Sequence, residues 1–333
     1  MSGRVTVLGA GSWGTTLADL LARQELDVTL WAHEPEVVAA VNGTHENPLF
    51  LAGCPLAPSL RAAADAAAAS TGAPVVLCAA PSHALRAVLR AAAPGIGPEA
   101  ILVSVTKGLE PDSLRFPSEV AAETLPGVRF VALSGPSFAR EVYDRQPTAV
   151  VAASTDATAA AAVQALFSAP HFRVYRNDDV IGTEIAGALK NVIAIAAGVL
   201  EGLGLGANPR AALITRGLAE MTRLGLALGA SARTFAGLAG LGDLVLTTTG
   251  ALSRNRALGV ALAQGQRLAD YTAAHRTVAE GVNTARAAVQ LGQRAGVELP
   301  ITAQVAALLF EGKQPGQAIA ELMDRALKPE QWT

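Results

Sequence analysis

The sequence predicts an α/β fold: a Rossmann-type doubly wound sheet over residues 1–180, then an all-α C-terminal domain over residues 181–333. Three observations carry this. A glycine-rich turn joins the first apolar run to the first helical stretch. Short β-branched runs then alternate with amphipathic stretches up to about residue 180. Beyond it strand signals fade, and Ala/Leu-rich segments broken by glycine take over.

The elements follow in order. "RVTVLG" reads as a strand, residues 13–24 as a helix, "DVTLWA" as a second strand, and "EPEVVAAVN" as the start of a helix. "AAADAAAAS" reads as a helix surface. "APVVLCA" and "AILVSVT" are strands separated by the helix "SHALRAVLRAAA", and "RFVALSG" and "TAVVAAS" are further strands. None alternates strictly between apolar and polar residues, so a parallel sheet covered on both faces is expected. "HFRVYRNDDVIG" (171–182) is a last strand and connector. The helices after it are punctuated by "GLGLGANP", "GLAGLGD", "GALSRN" and "GVELP".

Hydrophobic residues make up 51% of the 333, charged residues 16%, and the net charge is −2. Such a chain is core-rich, and no basic block points to nucleic acid. No charge-free run is apolar enough over about 18 residues to suggest membrane insertion. Cys54 and Cys78 lack metal-ligand spacing and read as reduced thiols of a cytoplasmic protein, so no metal is expected. The late apolar stretch "ITAQVAALLF" is either core or the face of a homodimer.

"VTVLGAGSWGTTLADLLAR" places Gly9, Gly11 and Gly14 between the first strand and the first helix. In that context the turn admits a dinucleotide pyrophosphate at the positive helix N-terminus; alone it would be only a flexible turn. An NAD site usually carries an acid at the second strand's end, about 20 residues on. Here Trp31-Ala32-His33 stand there and Glu34 comes late. A 2′-phosphate is therefore permitted, and His33 can hydrogen-bond it, so NADP is favoured and NAD stays open. His33 as a surface residue without a role is the alternative.

Only four lysines occur, at 107, 190, 313 and 328, against 22 arginines. Lys107 follows a strand, where α/β sheets bind ligands; an exposed loop lysine is the plain alternative. Lys190 sits inside the apolar helix "EIAGALKNVIAIAAGVL". Ala186 and Gly187 precede it by one turn and leave room for a ligand beside the ammonium. Burial lowers a lysine pKa and makes it a proton donor or acceptor near neutrality, which arginine cannot become. A structural salt bridge with Glu184 or Asp243 is the alternative. Asp243, in a small-residue turn, is placed to orient Lys190. "SRNR" at 253–256 runs into a helix, and helix amides with an arginine fork make a phosphate receptor; a capped helix with surface arginines fits as well. "LSGPSFAREV" offers backbone amides and a hydroxyl, and Glu280 opens a helix, where an acid also suits the dipole.

Taken together, "GAGSWGTTLA", "PSHALR", "SVTKGLE", "SGPSFAREV", "TEIAGALKNVIAIAAGVLEGLGLGANPRAALITRGLAEM", "GLAGLGDLVLT", "SRNRALG" and "EGVNT" closely resemble the bacterial-type NAD(P)-dependent glycerol-3-phosphate dehydrogenases, in order and over nearly the whole chain. The resemblance implies a site between the two domains and reversible reduction of dihydroxyacetone phosphate to sn-glycerol 3-phosphate, supplying phospholipid synthesis. It implies Lys190 as proton acceptor in oxidation and donor in reduction, with Lys107 and Asp243 around the reacting centre. Gly135, Ser137, Ser253, Arg254 and Asn255 match substrate positions, with Arg254 facing the phosphate. Ser12, Trp13, His33, Lys107, Ala139, Arg254, Val278 and Glu280 match cofactor positions. "NPLFLAG" departs from the tyrosine and proline of many members, around Phe50. Two other readings remain open: a β-hydroxyacid dehydrogenase or ketopantoate-type reductase of the same architecture, and a nucleotide-sensing protein without turnover.

Overall fold

The computed structural model describes residues 3–275, 279–327 and 329–330. Strands β1 (Arg4–Leu8), β2 (Asp27–Trp31), β3 (Arg61–Ala63), β4 (Val75–Cys78), β5 (Ile101–Ser104), β6 (Arg129–Ser134), β7 (Thr148–Ala153) and β8 (Phe172–Asn177) form one sheet in the order β3-β2-β1-β4-β5-β6-β7-β8. Helices α1 (Ser12–Ala22), α2 (Pro35–Thr44), α3 (Ala66–Ser70), α4 (Leu85–Ala92), α5 (Pro117–Thr124), α6 (Ala139–Tyr143) and α7 (Ala157–Phe167) connect the strands. After β8 every described element is helical: α8 (Val180–Gly202), α9 (Ala207–Ala227), α10 (Ala232–Phe235), α11 (Asp243–Thr249), α12 (Arg254–Ala263), α13 (Leu268–Ala274), α14 (Glu280–Ala295), α15 (Pro300–Phe310) and α16 (Pro315–Met323).

Period-two side-chain alternation sends the apolar runs to both faces of the sheet. Val5 and Val7 join Leu17 and Leu21 of α1 and Phe167 of α7 on one side. Leu8, Val76 and Leu102 join Leu85 and Leu89 of α4 and Val120 of α5 on the other.

Two expectations need correction. The sheet is not wholly parallel, because β6 and β7 pair antiparallel. Only the five-residue α6 lies between them. At 1.5 Å per residue it is about 7.5 Å long, under half the roughly 20 Å of six-residue β6, so α6 does not itself carry the chain back along the sheet. The alanine tract also divides: residues 61–63 form edge strand β3 beside β2, and only Ala66–Ser70 is helix.

Helix α8 is the axis of the second half. It is long and apolar enough by length and composition to cross a membrane, yet 83% of that window is buried inside the protein. It packs on α9, α11, α12 and α14. With α12 the approach is backbone to backbone: a Cβ on Gly198 would lie 1.9 Å from the Arg256 carbonyl oxygen, and one on Gly259 would lie 2.0 Å from that of Ile195. Small residues at the crossing thus seat the "SRNR" helix against α8. In "ITAQVAALLF", Ile301, Val305 and Leu309 are buried core.

Candidate active site

The three glycines of the first turn have three different jobs. Gly9 adopts φ +110°, a left-handed region open to glycine. A Cβ on Gly14 would lie 2.0 Å from the Gly9 carbonyl oxygen, so glycine lets α1 pack onto its own turn. A Cβ on Gly11 would meet nothing within 4 Å. Open space above the N-terminus of α1 is the cradle a pyrophosphate needs, so these residues fit a dinucleotide. Ser12 and Trp13 begin α1, with the Trp13 ring 6.4 Å from that of Phe172. His33 is exposed just past β2, its ring 6.5 Å from that of Trp31. Ala139 opens α6, and its carbonyl accepts from Thr16 Oγ1 of α1 at 3.3 Å.

The two lysines meet on one carboxylate. Lys107 leaves β5 in a loop tied to the end of β4 by Thr106 Oγ1, which donates to the Ala80 carbonyl at 2.8 Å. Lys107 Nζ donates to Asp243 Oδ2 at 2.8 Å and to the Gly135 carbonyl at 2.9 Å. Lys190 Nζ, from α8, donates to Asp243 Oδ1 at 2.6 Å and to Thr247 Oγ1 at 2.9 Å. Thr247 Oγ1 in turn donates to the Asp243 carbonyl at 2.7 Å. Asp243 is thus not in a turn: it is the first residue of α11, entered through the π-helical Leu238–Gly242. The space beside Gly187 is not vacant for a ligand either. A Cβ there would lie 3.5 Å from Lys107 Cγ and 3.3 Å from Ser134 Oγ. The small residue before Lys190 admits the other lysine.

Burial lowers the Lys190 pKa to about 7; Asp243 opposes this and the charge of Lys107 adds to it. Burial pushes the Asp243 carboxyl up, but Lys107 and Lys190 outweigh it, and the group lies below its ordinary range. The ionised form of the acid is favoured, and burial brings the Lys190 amine toward neutrality. The Lys190 side chain is 7% exposed and that of Lys107 16%. An ammonium has three donors; two of those on Lys190 are committed, which leaves one for a reacting oxygen.

Ser137 Oγ donates to the Gly135 carbonyl at 2.9 Å, joining the same cluster. Asn255 stands one step away: its Nδ2 donates to Asn191 Oδ1 at 2.9 Å, and its Oδ1 accepts from the Gly281 N–H at 3.0 Å. Asn191 Nδ2 continues to the Lys107 carbonyl at 3.0 Å. Ser253 caps α12, its Oγ accepting from the Arg256 N–H at 3.2 Å. Arg256 is held by Glu201 and by the Gly250 carbonyl. Arg254 is exposed and makes no hydrogen bond or ion pair with a described residue; Glu280 and Tyr271 are its electrostatic neighbours. Glu280 reaches across to the loop after β4, accepting from the Ser82 N–H at 3.0 Å and from Ser82 Oγ at 2.6 Å. Val278 lies outside the described residues.

Thr247, Asn191 and Ser82 were not singled out from sequence. Thr247 carried a readable signal, since it lies one helical turn after Asp243.

The chain is similar to known proteins over almost its full length. The family model described as NAD-dependent glycerol-3-phosphate dehydrogenase N-terminus matches residues 4–160, and the one described as the C-terminus matches 179–320. Glycerol-3-phosphate dehydrogenase (NAD(P)+) of Geobacter sulfurreducens is 57% identical, covering 100% of both chains. That of Citrifermentans bemidjiense is 53% identical, covering 99% of both. The crystal structure of glycerol-3-phosphate dehydrogenase from Coxiella burnetii superposes with a TM-score of 0.94 at 40% identity, over 97% of this chain and 99% of that one. With its glycine cradle and its two lysines on one aspartate, this chain belongs to the NAD-dependent glycerol-3-phosphate dehydrogenase family.

Proposed function

We propose that the chain interconverts dihydroxyacetone phosphate and sn-glycerol 3-phosphate by hydride transfer with NADP(H) or NAD(H). The observation that carries this is Asp243 holding Lys190 and Lys107 at 2.6 and 2.8 Å in a chain of this family. The coenzyme supplies or takes the hydride. Lys190 donates its proton to the alkoxide oxygen that forms in reduction, and takes one from the alcohol in oxidation. A lysine with a pKa of about 7 can do both near neutrality. Lys107 adds fixed positive charge near that oxygen, a preorganised electrostatic contribution. Asp243 aims both amines, with Gly135 and Ser137 beside Lys107.

Arg254, Ser253 and Asn255 are the proposed phosphate end of the substrate site. Arg254 is the member whose guanidinium is uncommitted among the described residues, and binding there fixes the carbonyl in place. Gly9, Gly11, Ser12, Trp13, Gly14, His33, Lys107, Ala139, Arg254, Val278 and Glu280 are the proposed coenzyme contacts. In the same reading, residues 1–180 bind the coenzyme and 181–333 complete the substrate site. A homodimer in the cytoplasm, feeding phospholipid synthesis, completes the proposal; the buried, unpaired Cys54 and Cys78 suit that compartment.

The test is a substrate panel. Oxidation of NADPH and NADH is followed with dihydroxyacetone phosphate, unphosphorylated dihydroxyacetone and ketopantoate. Turnover of the phosphorylated ketone is expected, at a kcat/KM at least about a hundredfold above the other two, because the unphosphorylated compounds forgo the remote binding energy. Preference for ketopantoate would overturn the assignment.

A further inference from the structure

Asn47 opens the "NPLFL" turn and is fully buried. A carboxamide carries two N–H donors and an acceptor oxygen, and all are used here. Nδ2 donates to the Ala10 carbonyl at 2.8 Å and to Thr15 Oγ1 at 2.8 Å, and Oδ1 accepts the Phe50 N–H at 3.1 Å. Thr15 Oγ1 itself donates to the Ala10 carbonyl at 3.1 Å. Ala10 lies between the first two glycines of the cofactor turn. Its carbonyl therefore receives two hydrogen bonds from inside the protein, and the plane of the Ala10–Gly11 peptide is fixed.

The consequence follows from peptide geometry. In a trans peptide the carbonyl and the following N–H point to opposite sides of the chain. Holding the Ala10 carbonyl inward turns the Gly11 N–H to the opposite side of the chain, and a Cβ on Gly11 would meet nothing within 4 Å, so the loop is open at this residue. A pyrophosphate approaches from that side. The same side chain anchors the turn that carries Phe50, so the glycine loop and that turn are tied through one residue.

We infer that Asn47 is a positioning residue for the coenzyme: through the Ala10 carbonyl it aims the glycine-loop amide at the pyrophosphate. This rests on the coenzyme reading above.

Asn47→Asp separates the two halves of the argument. It keeps the acceptor for Phe50 and the shape, and loses both donors when ionised or one when protonated. NADPH is titrated by fluorescence into the full chain without substrate, and steady-state rates with dihydroxyacetone phosphate follow. Coenzyme affinity is expected to fall about tenfold, the loss of one or two buried hydrogen bonds. The kcat at saturating coenzyme and the KM for dihydroxyacetone phosphate should stay within about twofold. Thr15→Val, a milder change, should weaken coenzyme binding about threefold, and Thr15→Ser should restore it. Coenzyme affinity unchanged in Asn47→Asp overturns the inference. So does a fall in kcat that saturating coenzyme does not repair, which marks a general structural role. Should Asn47→Asp fail to fold, the Thr15 pair decides by the same criteria. A wild-type chain that binds neither coenzyme overturns this inference together with the coenzyme reading. One that binds coenzyme but leaves dihydroxyacetone phosphate unreduced sinks only the substrate assignment, and the affinity ratio still decides Asn47.

Discussion

Asp243 and Glu184 are both buried against or within α8, at 1% and 5% exposure, and they behave in opposite ways. Asp243 faces two ammonium groups and is held below the ordinary carboxylate range. Glu184 accepts the Ser118 N–H at 2.8 Å and its hydroxyl at 2.6 Å, and among the described residues no cation pairs with it. Burial pushes its pKa up to about 8, against those hydrogen bonds. Burial favours the neutral form of both acids; only the lysines reverse the outcome. The pair also explains why one carboxylate serves two amines. In the proposed mechanism Lys190 gives up its proton while Lys107 still contacts Asp243.

The hardest blow to this contrast is removal of Lys190. Lys190→Ala is expected to lower kcat by about 10³, within the range for loss of a general acid–base group, with native circular dichroism. Lys190→Arg sharpens the test, because arginine keeps the charge but does not deprotonate. It should lose at least about 10² in kcat. Near-normal turnover of the arginine variant would mean the position supplies charge alone.

The pH dependence is the next largest effect, and its sign differs with direction. In the proposed mechanism reduction needs Lys190 protonated, so its rate should be level below a pH of about 7 and fall about tenfold per unit above it. Oxidation needs the neutral amine and should rise through the same point. The pH dependence of kcat/KM, measured both ways, checks this, since it reports the enzyme before substrate binds. Parallel profiles in the two directions would exclude Lys190 as the titrating group.

Much of this centre was legible in the sequence, and for physical reasons. A lysine in an apolar helix of an arginine-rich chain is conspicuous because burial makes the two cations unequal. The glycine turn is legible because backbone conformation and close packing restrict Gly9 and Gly14. Other features depend on what the chain meets in space. The room beside Gly187 was visible, but not that Lys107 fills it. Thr247, Asn191 and Ser82 are ordinary polar residues until α8, α12 and α14 bring partners to them. Edge strand β3 is three residues from an alanine-rich, helix-prone tract, and pairing with β2 overrides that propensity. The reversal at β7 accompanies a short connecting helix, and no residue in the strand marks it.

The smallest predicted effect isolates the other acid. Glu184 in the folded chain titrates near 8 against an ordinary value of 4.5, so between those values the native state binds more protons than the unfolded chain. Its contribution to stability is complete below about 4.5 and is lost as pH rises through about 8. Glu184→Gln keeps an acceptor for the Ser118 N–H and cannot ionise. Its melting temperature should therefore decline less than that of the wild type across this window, by a few degrees at the alkaline end, roughly what one or two kcal/mol produce in a chain this size. Scanning calorimetry at several pH values measures the difference. Equal slopes for the two proteins would remove Glu184 as the titrating group. The kinetic pKa should not move, because Glu184 bonds to α5 and not to the lysines. A shift of that kinetic pKa in Glu184→Gln would show that Glu184 and Lys190, six residues apart on α8, are coupled, and the contrast between Glu184 and Asp243 would then describe one electrostatic system rather than two.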